Sequence, residues 1–412
     1  MKMSATTKDY FWNSVGSFLQ SAISPALLVL ITRINGIYDS GIFSFAMSVS
    51  VVFWVFSMWG GRTYQVSDVS RQFSSGGYIA VRFIASLIVV AAAIVFCVAS
   101  GYDLVKTLVI MLLVGFKILE SVADSLYGIL QVHNRLYIAG KSLVIKAVAG
   151  FLAFLIIDMI TKNLALGSIA LLLVNLIVII AYDIVWVGRV EKIKAKFSLA
   201  AVSKYTGEAK TIMKITSPVF AVMFMTMFSL NIPRYFLDRY HPEEIGYFGI
   251  MAMPITLLAL FIMFIIQPNI VTMAKEFSQR NIAAFTKIVR KIITATYAIG
   301  VVAVIATALV GVIILNTVFG IDIEKFHAEL VVMIIGAVAN SVVTVYVNTL
   351  IVARLFKWQF YLLLITNLVA AVVSLFIIDD YATMGAVCVF SCISIVQAIL
   401  LSIYYKKTIK VL

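Results

Sequence analysis

Three charged side chains interrupt an apolar stretch, residues 104–127, and their spacing suits the binding of a charged ligand. Lys117, Glu120 and Asp124 are three and four residues apart, which places them on one face of a helix. A helix of this length can cross a bilayer, where an ionised side chain at the centre costs roughly 2.5–3.5 kcal/mol. The three side chains must therefore face protein, water or a charged partner.

Two interpretations of this triplet are open. Lys117 and Glu120 could form an ion pair that only packs one helix against another. Alternatively, the helix lines an aqueous path through the membrane. In that case Glu120 and Asp124 are either carboxylates that couple transport to an H⁺ or Na⁺ gradient, or counter-ions of Lys117.

The composition predicts an all-α integral membrane protein. Of 412 residues, 63% are hydrophobic and 12% are charged, which is far from the average soluble protein. Apolar windows and the breaks between them predict about twelve transmembrane helices. These are residues 12–32, 40–60, 80–100, 104–127, 141–160, 164–187, 214–236, 246–267, 292–318, 329–352, 358–378 and 384–404.

The distribution of basic residues predicts a multi-pass protein with both termini in the cytoplasm. About 25 of the 32 Lys and Arg residues lie on the side that holds the termini, whereas six lie on the other side. Cytoplasmic loops carry such an excess. The net charge of +13 is thus a topology signal and does not indicate a nucleic-acid partner.

The residues that carry metal or covalent chemistry are scattered. Three cysteines lie in apolar windows and three histidines lie in or beside different loops. No metal-ligand spacing, nucleophile constellation or Gly-rich phosphate loop is present. We therefore predict no catalytic residues, no metal and no cofactor.

The long basic connection 188–213 divides the chain into an N-terminal lobe, 1–187, and a C-terminal lobe, 214–412. Each lobe has six predicted spans, so both enter from the same side and form a parallel repeat. Weak echoes such as Gly41-Ile42-Phe43 and Gly246-Tyr247-Phe248 open corresponding spans. The sequence therefore predicts two like-oriented six-helix lobes.

Two predicted spans carry polar stripes at helical spacing. Span one has Asn13, Ser17, Gln20 and Ser24, and span ten has Asn340, Thr344 and Asn348. Such stripes either line a pore or form hydrogen bonds between helices. If the stripes line a pore, Asn13, Gln20, Asn340 and Asn348 are candidate substrate-binding residues.

Short motifs follow or open several spans. They are GRTYQVSD at 61–68, QVHNRL at 131–136, GKS at 140–142, NIPRY at 231–235 and GYF at 246–248. Together with the chain length, span count and two-lobe layout, these motifs resemble bacterial lipid-linked oligosaccharide flippases. Those are the O-antigen and capsule repeat-unit exporters of the Wzx family, within the superfamily that also holds multidrug and toxin extrusion transporters.

The resemblance implies two lobes around a central cavity that opens alternately to each side of the bacterial cytoplasmic (inner) membrane. The implied substrate is an undecaprenyl-diphosphate-linked sugar repeat unit. The implied partners are membrane lipids, a polysaccharide polymerase and chain-length proteins. Arg62 and Arg234 lie in matching motifs and carry over as candidate ligands of that substrate.

A diphosphate cannot cross hydrocarbon unaided, whereas fixed cations in a walled cavity can replace its water. The candidate cations are Lys117, Arg33, Arg234, Arg62, Arg82 and Lys146. Snorkelling from a span end is an alternative role for Arg33 and Arg234. For Arg62, Arg82 and Lys146, the alternative is that they only contribute to the excess of positive charge on the cytoplasmic side.

Three other functions are compatible with parts of this pattern. A multidrug or cation exporter of the same superfamily would have an acidic or aromatic pocket instead of a basic one. A membrane glycosyltransferase or polysaccharide polymerase would need a large outer loop, and the predicted outer connections are short. A non-transporting scaffold for glycan assembly is the third.

Overall fold

The computed structural model describes residues 5–68, 71–191 and 199–409, and all regular secondary structure in these ranges is helical. The α-helices are α1 (Ala5–Ile34), α2 (Ile37–Ser57), α3 (Gly61–Ser67), α4 (Ser75–Ser100), α5 (Leu104–Val132), α6 (Leu136–Thr161), α7 (Leu164–Val178), α8 (Ile184–Gly188), α9 (Leu199–Tyr240), α10 (Ile245–Met251), α11 (Met253–Ser278), α12 (Ile282–Ala306), α13 (Val312–Phe319), α14 (His327–Val352) and α15 (Phe356–Ile409). Single π-helical turns, Ile179–Asp183 and Thr307–Gly311, join α7 to α8 and α12 to α13.

The helices account for the predicted membrane spans. In the described part of the chain, ten helical segments are long and apolar enough to cross a membrane. Helix α5 is as long, at 29 residues, but carries the charged triplet. Helix α15 contains two helices, because Ala382 has φ 45° and ψ −128°, a backbone conformation that no α-helix continues through. The prediction of an all-helical protein with about twelve spans is confirmed.

Several helices extend well beyond the apolar windows. Helix α9 begins at Leu199, 15 residues before the predicted start of span seven at 214. Hydropathy detects only the apolar part of a helix that can lie in lipid. The polar turns that precede this part form the same backbone hydrogen bonds, so the helix begins earlier than the apolar window. The predicted connection 188–213 lies partly outside the described residues, and the predicted lobe boundaries stay a prediction.

The chain forms two compact units, Met1–Phe220 and Ala221–Leu412. Helix α9 belongs to both, because the boundary falls within it. The first unit holds α1 to α8, and its interior includes Phe43, Phe116 and Phe154, all at most 1% exposed.

The most extensive helix contact of the first unit joins α1 to α6, and two glycines make it close. A Cβ atom on Gly16 would lie 2.4 Å from the carbonyl oxygen of Gly140. A Cβ atom on Gly140 would lie 2.3 Å from the carbonyl carbon of Trp12. Small residues at such crossings let helix backbones approach each other in membranes, so this contact fixes where α1 lies.

Gly140→Ala should destabilise the first unit, because the added methyl group meets backbone that cannot rotate away. Overpacking of this kind costs about 1–3 kcal/mol. Thermal unfolding of the purified protein in detergent measures the loss. Gly207→Ala in α9 is the matched control, because nothing lies within 4 Å of its Cβ position. Equal melting temperatures for the two variants would contradict the close α1–α6 contact.

The second unit contains a buried, uncharged hydrogen-bond cluster between α9 and both parts of α15. Gln397 donates to Ser229 at 2.6 Å and to Thr366 at 2.8 Å. The Ser229 hydroxyl donates to the Asn367 carbonyl at 2.5 Å, and the Asn367 amide donates to the Met225 carbonyl at 2.9 Å. These satisfied amides hold three helix segments in register.

Candidate ligand-binding pocket

A pocket of about 220 Å³ lies inside the first unit, among four long helices and the short helix α3. Its wall combines hydroxyl, amide, aromatic and charged groups. The lining residues are Ser17, Gln20 and Ser21 of α1, Trp54 of α2, Arg62 of α3, Glu120, Ala123, Asp124 and Tyr127 of α5, and Leu143 and Lys146 of α6.

The charged face of α5 forms one side of this pocket. The N-cap residue Asp103 accepts a hydrogen bond from the Lys106 amide at 2.7 Å and fixes where α5 begins, so the triplet falls deep within the helix. Lys117 donates to Glu120 at 2.7 Å, and both side chains are less than one-fifth exposed. Gln20 of α1 also donates to Glu120. Lys117 and Glu120 therefore form an ion pair, as one of the two interpretations of the triplet requires, and Glu120 also lines the pocket.

Asp124, one turn later, interacts with two arginines and not with Lys117. Arg62 Nε lies 3.6 Å from Asp124 Oδ1, and Arg82 Nη2 lies 3.7 Å from Asp124 Oδ2. The Arg62 side chain is 29% exposed, whereas the Arg82 side chain is 4% exposed. Arg82 also donates to the Trp59 carbonyl at 2.7 Å. Arg82 thus lies behind the wall, while Arg62 reaches the pocket.

A second ion pair lies at the α6 side of the pocket. Lys146 Nζ lies 2.5 Å from Asp183 Oδ2 and 2.9 Å from the Tyr127 hydroxyl. Lys146 is 2% exposed and Asp183 is fully buried. Asp183 ends the π-helical turn Ile179–Asp183, and such turns frequently mark functional sites.

Asp183 and Tyr127 are site residues that our sequence reasoning missed. The sequence does indicate that Asp183 is unusual, because it is an acidic residue within the apolar window 164–187. Like Lys117, a charged residue in such a window requires a partner. Its pairing with Lys146 depends on how α6 and the π-helical turn meet, which residue spacing does not give. Tyr127 shares the helical face of Glu120 and Asp124.

The remaining predicted residues lie elsewhere. Asn13 is on α1 outside the pocket lining, and Arg33 is exposed at the C-terminal end of the same helix. Arg234 belongs to the second unit, where its guanidinium lies 5.2 Å from the centre of the Phe248 ring. Asn340 and Asn348 are on α14 of that unit, and Asn348 donates to the Thr344 carbonyl at 2.8 Å. Contact of these residues with substrate stays a prediction.

The pocket network holds more positive than negative charge. Arg62, Arg82, Lys117 and Lys146 face Glu120, Asp124 and Asp183. Every one of these cations already has a carboxylate partner. An anionic ligand can therefore bind by replacing carboxylates at the cations that reach the pocket, and the low polarity around them strengthens such contacts. Among the described residues, no group of three or more His, Cys, Asp or Glu side chains could hold a metal ion.

Comparison with known proteins gives one sequence relative and several structural ones. The capsular polysaccharide biosynthesis protein CapF of Staphylococcus aureus is 21% identical over 401 residues, which cover 97% of this chain and 99% of that protein. No protein-family model matches the chain.

Two solved structures show the fold. The first is an inward-facing conformation of a multidrug resistance MATE family transporter of the MOP superfamily, with a TM-score of 0.74, 12% identity, and coverage of 97% of this chain and 98% of that one. The second is the lipid II flippase MurJ in an inward closed conformation, with a TM-score of 0.66, 12% identity, and coverage of 95% and 87%. The predicted relation to this group of transporters is confirmed at the level of the fold. The chain is a multi-pass helical membrane protein with the fold of these transporters.

Proposed function

We propose that this protein moves a polyprenyl-diphosphate-linked oligosaccharide repeat unit across the bacterial cytoplasmic membrane, for capsule or O-antigen assembly. The proposed mechanism is alternating access, and the diphosphate binds to the basic side chains of the pocket. The polyprenyl chain remains in lipid, and the glycan contacts hydroxyl and amide groups.

The pocket carries this proposal. Charged side chains inside a membrane protein are costly and typically mark a substrate or ion pathway. Here four cations pair with three carboxylates at and behind the wall of one pocket, and the side chains of Arg62 and Lys146 line it. Guanidinium and ammonium groups are the usual partners of phosphate oxygens. The likeness to a capsular polysaccharide biosynthesis protein over nearly the full chain supports the glycan part of the proposal.

Surface polysaccharide in a bacterium that lacks its own flippase tests the proposal, provided that strain makes the matching glycan. We expect the wild-type protein to restore surface polysaccharide, and Lys117→Ala and Glu120→Gln to restore less than about one-tenth of it. Each variant breaks the Lys117–Glu120 ion pair at the pocket wall and changes its charge, and a hydrogen bond to a charged group is worth about 1.5–3 kcal/mol, enough for an effect of this size.

Lys287→Ala is the control, because Lys287 is an exposed residue of α12 in the second unit. All variants must reach the membrane in equal amounts, as measured by immunoblot. If Lys117→Ala and Glu120→Gln both restore full surface polysaccharide, the Lys117–Glu120 pair has no role in transport.

Export of organic cations is the second candidate function, and the carboxylates Glu120 and Asp124 in the pocket favour it. Cells that express the protein would then accumulate less ethidium, and Glu120→Gln would abolish that effect. The excess of basic groups in the network favours the anionic substrate.

A further inference from the structure

The buried ion pair Lys146–Asp183 lies at the pocket wall, and only one of its two partners lines the pocket. Lys146 lines the pocket, whereas its partner Asp183 is 0% exposed and lies behind it. An anion that enters the pocket therefore meets the Lys146 side chain, whereas Asp183 lies behind that side chain.

The surroundings of Asp183 offer one strong counter-charge. Lys146 from α6 contacts Oδ2 at 2.5 Å, while Oδ1 is buried with no hydrogen bond from the described residues. Among the residues that the structure describes, the other titratable groups that interact with Asp183 are the hydroxyls of Tyr127 from α5 and Tyr182 from the π-helical turn. Ser142 of α6 also interacts with this carboxylate.

The charged groups beyond this shell do not replace Lys146. Glu120 and Asp124 on the facing side of α5 are carboxylates themselves. Arg82 from α4 and Arg62 from α3 are held by Asp124. Gln20, the pocket amide of α1, is uncharged. If Lys146 turned towards an anion in the pocket, Asp183 would be a buried carboxylate without a positive partner, which is strongly unfavourable.

We propose that Asp183 is a proton-binding site linked to the pocket through Lys146, so that a bound diphosphate and a proton on Asp183 stabilise each other. This inference rests on the proposed function, because it assigns the coupling ion of the same site. On binding, the Lys146 ammonium keeps its proton and pairs with a phosphate oxygen, and Asp183 takes one proton from solvent. By linkage, the anion binds more tightly at low pH.

Farnesyl diphosphate, a short prenyl diphosphate, is the probe, with the full-length protein in lipid nanodiscs. Calorimetric titration in two buffers of different ionisation enthalpy counts the protons taken up per ligand bound. Wild type should take up about one proton more than Asp183→Asn. Its affinity should fall by up to about tenfold per pH unit once Asp183 is ionised in the free protein, and that of Asp183→Asn should fall less steeply.

Two further variants make the result specific. Lys146→Gln/Asp183→Asn removes both charges together, and replacing a buried pair by neutral groups is often tolerated; it should show the same proton count as Asp183→Asn. Asp158→Asn is the matched control, since Asp158 on α6 is also 0% exposed but does not line the pocket, and it should keep the wild-type count.

Each outcome decides between the two proposals. A wild-type proton count in the double variant, or an equal loss in Asp158→Asn, overturns the role of Asp183 and leaves the anion pocket intact. Should wild type fail to bind farnesyl diphosphate at all, both proposals are wrong.

Discussion

Asp124→Ala should remove most of the folded protein from the membrane, the largest stability effect we expect from a single substitution in the pocket network. Asp124 is the carboxylate next to Arg82, whose side chain is 4% exposed. Removing one partner of a buried ion pair typically costs 3–5 kcal/mol, because the remaining charge stays buried. Membrane-fraction yield and the melting temperature in detergent measure the loss.

Glu120→Gln is the matched control for this prediction, because Glu120 lies one turn earlier on the same helix. Its partner Lys117 has a side chain 17% exposed, so water can solvate the ammonium when the carboxylate is neutralised. We expect stability close to wild type for Glu120→Gln.

A second substitution shows whether Asp124→Ala destabilises the protein through the loss of the ion pair with Arg82 or through the loss of side-chain packing. Arg82→Met in the Asp124→Ala background removes the stranded guanidinium and should recover part of the yield. A stable Asp124→Ala protein, or a double variant less stable than the single one, would show that Asp124 does not neutralise Arg82.

Residue spacing was sufficient to predict the charged face of α5, but not the partners of its charges. The three- and four-residue steps from Lys117 to Glu120 and Asp124 determine which side chains share a face, since helix geometry is local. That Asp124 interacts with Arg62 and Arg82 depends on where α3 and α4 meet α5. These pairings depend on tertiary contacts between helices that are distant in sequence, and the spacing of residues within one helix does not predict such contacts.

The membrane spans, too, were predictable only where they depend on local sequence. Apolar windows located every span, because lipid demands continuous hydrophobic sequence. They also placed the break within α15, because Ala382 lies between the predicted spans 358–378 and 384–404. They did not give the early start of α9, because a helix in contact with water or with other helices need not be apolar. The predicted cavity between the two halves stays a prediction, whereas the pocket described here lies within the first unit alone.

Arg62→Gln should leave the protein folded and yet weaken binding of farnesyl diphosphate by about ten- to hundredfold. Asp124 keeps Arg82 as its partner when Arg62 is removed, so no buried charge is stranded. The lost interaction is a charge-assisted hydrogen bond to phosphate, worth about 1.5–3 kcal/mol. Affinity in nanodiscs and the melting temperature, measured on the same preparation, check both parts of this prediction.

Arg290→Gln is the matched control, because it removes one positive charge from an exposed arginine of α12 and leaves the pocket unchanged. Arg62→Lys should fall between wild type and Arg62→Gln, because an ammonium retains the charge but not the planar, two-pronged contact of a guanidinium. A stable Arg62→Gln protein that binds farnesyl diphosphate as tightly as Arg290→Gln would show that Arg62 contacts only Asp124. The anion would then have to bind through Lys146, the other cation that lines the pocket.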